Sequence, residues 1–168
     1  APSRFRQADQ VMLAISAIPN SASHTEMDFG TVVWVPYGSR IIADFGYGTL
    51  HGNRYETAPD HPPDQNPTGH STLIIPEALL EGDPSTNTSQ IDGRDGTIEM
   101  EDIDGHATLL LDGSAVYGRD DPELGWLEHF HRRVVPLDSG HIILIDDFTV
   151  RDDRPDASVS EYWYTHPW

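Results

Sequence analysis

Short apolar runs, broken every few residues by Gly, Pro, Asp or Asn, constrain this chain more than any other property. No long stretch sustains the 3.6-residue apolar repeat of an amphipathic helix, whereas runs of strand length recur throughout. The spacing predicts strands over residues 11–18, 31–35, 40–44, 72–75, 97–100, 107–111, 114–116, 130–136, 141–150 and 158–166. About ten short strands with turn signals between them predict an all-β fold, a mostly antiparallel β-sandwich or jelly roll with little helix. Residues 141–146 (His-Ile-Ile-Leu-Ile-Asp) are apolar at successive positions, which predicts a central strand buried on both faces. Residues 161–166 alternate less cleanly and are expected to line a cleft.

With 168 residues, of which 37% are hydrophobic, the chain is long enough to bury one core and is read as a single domain. Its 28 acidic against 10 basic residues give a net charge of −18, a field that repels polyanions and argues against nucleic acid or an anionic membrane as partner. No apolar stretch approaches the roughly 18 to 20 residues that span a bilayer, and the first residues lack the basic-then-apolar pattern of a signal peptide. Zero Cys removes thiolate chemistry and disulfides, which is compatible with an exported protein. Acids cluster in turn-like segments. A calcium site among Asp92, Asp95, Asp102 and Asp104 lacks EF-hand spacing, and solvated turns are the favoured reading.

Chemistry concentrates near the start. In His24-Thr25-Glu26-Met27-Asp28 an extended backbone points His24, Glu26 and Asp28 to one side, while Asp44 and His70 come from nearby predicted strand ends. Imidazole nitrogen and carboxylate oxygen are the donors zinc accepts, so Glu26, Asp44 and His70 form a candidate metal set with Asp28 placed to orient a neighbour. Residues 50–69, carrying Pro59, Pro62, Pro63 and Pro67, make a connection long enough to suggest a substrate-facing loop. His129 and His131 share one strand face and offer a weaker metal pair beside Arg132 and Arg133. Gly-x-Ser-x-Gly and His-Glu-x-x-His are both missing, so the common acyl-transfer and metalloprotease signatures are absent.

The order His-x-Glu-x-Asp, then Gly38, Asp44 in Asp-Phe-Gly-Tyr-Gly, Tyr55 and Gly-His-Ser-Thr at 69–72 resembles the β-sheet domain of the heparinase II/III-like polysaccharide lyases. That family typically carries His-x-His-x-Asp, a Gly before an apolar strand, Asp-x-Gly-Tyr, a downstream Tyr and a His-Asn-Thr strand start. Residues 129–135, 144–147 and 163–166 also look like its ending, so the likeness covers most of the chain. It implies a periplasmic or secreted lyase acting on a uronic-acid polysaccharide by β-elimination, with the sheet domain packed on an α/α toroid. It further implies His24 as catalytic histidine, Tyr55 as cleft tyrosine, and Glu26, Asp44 and His70 as ligands of a divalent metal such as zinc. Glu26 stands where the family usually has a second histidine, Ser71 replaces the usual Asn, and the toroid is not among these 168 residues.

β-Elimination explains the residue types. The C5 proton of a uronate becomes acidic only when the adjacent carboxylate is neutralised, so the site needs a cation or donor there, a base for C5 and an acid for O4. Arg54 and Arg132, or Arg133, are the expected carboxylate clamps. Two alternatives use the same composition: a non-catalytic carbohydrate-binding or packing module drawing on four Trp and six Tyr, and a cupin-like metal enzyme.

Overall fold

The computed structural model describes residues 11–18, 20, 27–44, 69–79, 89–91, 93–161 and 163. Its described strands are β1 (Val11–Ile15), β2 (Val32–Pro36), β3 (Leu73–Ile74), β4 (Thr97–Ile103), β5 (His106–Asp112), β6 (Leu127–Pro136), β7 (Ile142–Val150) and β8 (Ser160–Glu161). They pair antiparallel as β1-β2, β3-β8 and the four-stranded meander β4-β5-β6-β7. Among the described residues, a 3-10 turn spans Pro76–Leu79. The all-β expectation holds. Among the described residues no helix is long and apolar enough to cross a membrane.

Turn chemistry sets the meander. Ile103 pairs with His106, leaving Asp104 and Gly105 as a two-residue loop with φ of +54° and +84°, the positive pair that matches strand twist in a tight hairpin. The Asp102 carboxylate accepts the Gly105 N–H at 2.9 Å, so this acid closes a turn. In β6, Phe130, Arg132 and Val134 alternate inward as a strand requires, yet Leu127, three residues before Phe130, is buried too. A register shift between Leu127 and His129 absorbs the extra residue and resets which side faces the core.

Phe29, Val32, Leu73, Ile75, Leu111, Val116, Tyr117, Leu127, Phe130 and Val134 form the buried centre, with Leu13, Ile15, Leu109, Leu144 and Val159 packed around it. Phe29 lies so close to two glycines that a Cβ on Gly96 would sit 2.3 Å, and one on Gly113 2.9 Å, from its ring. Only a residue without a side chain fits beside it at either place.

Three expectations are corrected. Strand β7 is an edge of the meander, and Ile143 and Ile145 stand 46% and 47% exposed, because alternate members of the apolar run point away from the core. Residues 114–116 are a turn: the Asp112 carboxylate accepts both the N–H and the hydroxyl of Ser114, at 2.9 and 2.6 Å, and bends the chain out of the ladder. Residues 40–44 contribute one bridge, Ile42 to Trp34, and no full strand.

Candidate functional site

Asp28, Asp44 and His70 belong to three separate segments that β2 and β3 bring together. The Asp28 carbonyl accepts the Thr31 N–H at 2.9 Å across a turn whose third residue, Gly30, has φ +89°. That position admits glycine and few other residues. The turn leads directly into β2, and the Ser16 carbonyl accepts the Gly30 N–H at 2.9 Å to hold it against the end of β1. Asp44 follows Ile42, whose bridge to Trp34 lays this segment along β2. His70 sits in the bend before β3, where its carbonyl accepts the Thr72 N–H at 3.0 Å.

Within this convergence His70 is fully buried and its Nδ1 lies 2.7 Å from Asp44 Oδ2, an ion-pair and hydrogen-bond distance, with the Asp44 side chain 22% exposed. Burial pushes the Asp28 carboxyl above its ordinary value; the neighbouring Ser16 hydroxyl and the nearby His70 oppose the rise and Asp44 adds to it. The three groups therefore share one electrostatic environment, part buried and open on the Asp44 side. A carboxylate on Nδ1 fixes the orientation of an imidazole and raises its basicity, which suits His70 to proton handling.

A buried polar network supports these loops. Tyr117 Oη donates to the Leu73 carbonyl at 2.7 Å and lies 3.0 Å from the Thr72 hydroxyl, which donates to the Phe29 carbonyl at 2.8 Å. Gln90 donates to the same Phe29 carbonyl at 3.0 Å and accepts the Phe29 N–H at 3.2 Å. Burial pushes the Tyr117 phenol up to about 12, so it remains a neutral donor.

A zinc-type ion is tested by the donors on hand. Two ligands of one tetrahedral ion at about 2.0–2.1 Å stand roughly 3.3 Å apart. The 2.7 Å pair of Asp44 and His70 would open by about half an ångström to hold one, and their donor types suit it. They supply two ligands; among the described residues no group of three His, Cys, Asp or Glu stands ready around a point. Glu26, the third expected ligand, lies outside the described residues, as do His24, Arg54, Tyr55, Asp92 and residues 50–68.

Arg132 requires a correction. The expected substrate clamp is 0% exposed, and each of its five N–H donors has a protein acceptor. Nε donates to Asp146 Oδ1 at 2.7 Å, Nη2 to Asp146 Oδ2 at 2.6 Å and to Glu161, and Nη1 to the carbonyls of Gly30 and Ser71 at 2.7 and 2.6 Å. No donor remains for a substrate carboxylate. Burial works against its charge, but the hydrogen bonds and charges of Asp146 and Glu161 raise its pKa above the ordinary value. Arg133 points to the other side of the sheet, 3.6 Å from Glu101.

His129 and His131 lie on that outer side too, their rings 4.1 Å apart, with Asp147 and Asp112 at 3.1 and 3.5 Å respectively. Burial tends to raise the Asp112 carboxyl, but Ser114 and His131 outweigh it and hold it below its usual range.

Sequence reasoning missed Asp146, Glu161, Thr72, Gln90 and Tyr117. Asp146 carried a usable signal, since an acid ending the apolar run 142–145 on a strand paired with 130–136 needs a cation across the ladder. The sequence matches no protein-family model, and no curated protein matches it.

Proposed function

We propose that this chain is the β domain of a periplasmic or secreted polysaccharide lyase, one that cleaves a uronic-acid polymer of the alginate or glycosaminoglycan type by β-elimination. The observation that carries this reading is the contact of Asp44 with the buried His70, 2.7 Å across 26 positions of sequence, with Asp28 beside them. Asp44 and His70 are two of the three residues to which the resemblance to heparinase II/III-like lyases assigns metal ligation. In the proposed reaction a base removes the C5 proton, the C4–C5 double bond forms, the C4–O4 bond breaks, and O4 takes a proton from an acid. His24 and Tyr55 are the residues the resemblance gives to this proton traffic. Asp44 and His70, with Glu26, would hold a divalent ion, whose positive charge would offset part of the substrate carboxylate's negative charge. The buried network of Tyr117, Thr72 and Gln90 keeps the loops that carry Asp28 and His70 in register.

The test is formation of the ultraviolet-absorbing unsaturated uronate from alginate, heparan sulfate, chondroitin and hyaluronan, run with the whole protein and any toroid chain that co-purifies. Turnover of one polymer that His24→Ala abolishes supports the reading. No product from any of the four, or undiminished product with His24→Ala, overturns it as stated.

A second reading, a non-catalytic packing or carbohydrate-binding module, draws on a different observation. Ile98 and Met100 on the core-facing side of β4 are 46% and 76% exposed, an apolar margin suited to covering by further protein. Sugar binding without turnover in the complete assembly favours that reading.

A further inference from the structure

The Arg132 guanidinium touches both backbone segments that carry the candidate site. One nitrogen, Nη1, donates to the carbonyls of Gly30 and Ser71, so those two oxygens lie within roughly 4–5 Å of one another. Gly30 is two residues beyond Asp28, and Ser71 directly follows His70. The other side of the guanidinium is anchored in the sheet, because Arg132 and Asp146 are direct partners in the β6-β7 ladder and meet through two parallel hydrogen bonds. Glu161 adds a third direction: it lies on β8 opposite Leu73 of β3, the strand that begins just after the His70 bend. Phe130 and Trp163 flank the group at 5.9 and 5.5 Å from their ring centroids.

We propose that Arg132, held by Asp146 and Glu161, is the positioning residue of the site, fixing the Asp28 turn and the His70 bend relative to one another so that His70 meets Asp44. This deepens the lyase reading and rests on it for its catalytic consequence. A planar fork with five donors serves acceptors in three directions at once; a lysine ammonium with three donors on one nitrogen does not. Substituting Arg132→Lys therefore keeps the buried charge and loses the joint hold on Gly30 and Ser71.

The experiment compares the full-length wild type with Arg132→Lys, Glu161→Gln and the core control Val134→Ala. The imidazole signals of His70, assigned by their loss in His70→Gln, are followed by NMR without added metal, beside kcat and KM on whichever uronate polymer is cleaved. The expected result is displaced His70 signals and a kcat at least tenfold lower in Arg132→Lys with KM within about twofold. Val134→Ala, which lowers stability without touching the site, should keep both wild-type signals and kcat. Folded Arg132→Lys with wild-type His70 signals overturns the proposal, as does an equal displacement in Val134→Ala. Should Arg132→Lys fail to fold, Glu161→Gln decides by the same signals: displacement supports the positioning role and unchanged signals refute it. A wild type that cleaves none of the polymers removes the lyase reading alone, since the His70 signals still judge Arg132.

Discussion

Glu161 and Asp146 converge on one guanidinium, and the crowding has a consequence in pH. Burial pushes the Glu161 carboxyl up to about 7 from an ordinary 4.5, with Arg132 pulling it down and Asp146 pushing it further up. Because the folded value exceeds the unfolded one, the stabilisation linked to this proton is fully present below 4.5 and is lost as pH rises toward 7. Asp112 acts in the opposite sense, its contribution present above 3.8 and lost as pH falls below it. Denaturant unfolding at intervals from pH 4 to 8 should show a shallower decline for Glu161→Gln than for wild type; identical slopes would remove Glu161 as its source. Gly113 offers a steric test at the same scale: a Cβ there would lie 2.7 Å from the Phe130 ring and 2.9 Å from that of Phe29. Gly113→Ala should lower unfolding free energy by about 1–3 kcal/mol in urea titrations. Of these properties the sequence announced the residue types and little else. Arg132 read as an exposed clamp because a charged residue among His and Arg looks like a solvated edge; its burial depends on acids 14 and 29 positions away.

Among the elements, β6 and β7 were legible as strands but not by face. Alternation identifies which residues share a side; it does not say which side meets the core, and the bulge after Leu127 inverts the parity within β6 itself. Strand β7 seemed doubly buried because Ile142 to Ile145 are all apolar, although two of the four face outward at an edge. Thermal or urea unfolding should separate the two faces. Ile145→Lys should change stability by no more than about 0.5 kcal/mol, whereas Phe130→Ala should cost about 3–5 kcal/mol through the cavity it leaves. A large loss with Ile145→Lys would mean that the outer face is covered. The Asp104-Gly105 hairpin is the opposite case, a purely local device in which two residues and their positive φ angles fix the β4-β5 register.

At the scale of the whole molecule, a net charge of −18 meets a proposed substrate that is itself a polyanion. Like charges slow encounter and weaken binding until salt screens them, with a Debye length falling from about 30 Å at 0.01 M to about 10 Å at 0.1 M. The KM for a uronate polymer should therefore fall as ionic strength rises over that range, and a KM that climbs with salt would point to a local basic groove dominating the encounter. The all-β architecture was present in the letters, because strand-length apolar runs and turn residues act through local backbone preferences that need no partner. The association of Asp28, Asp44 and His70 was an expectation from predicted strand ends and from the resemblance, and its geometry was not in the letters, since strand spacing fixes direction along one strand and not proximity between strands. The amino-acid order by itself determined the strand class and the supply of imidazole, carboxylate and guanidinium groups. Tertiary structure alone decided that His70 meets Asp44 and that Arg132 turns inward, because pairing between distant segments and the cost of burying a charge are settled only when all its partners arrive together.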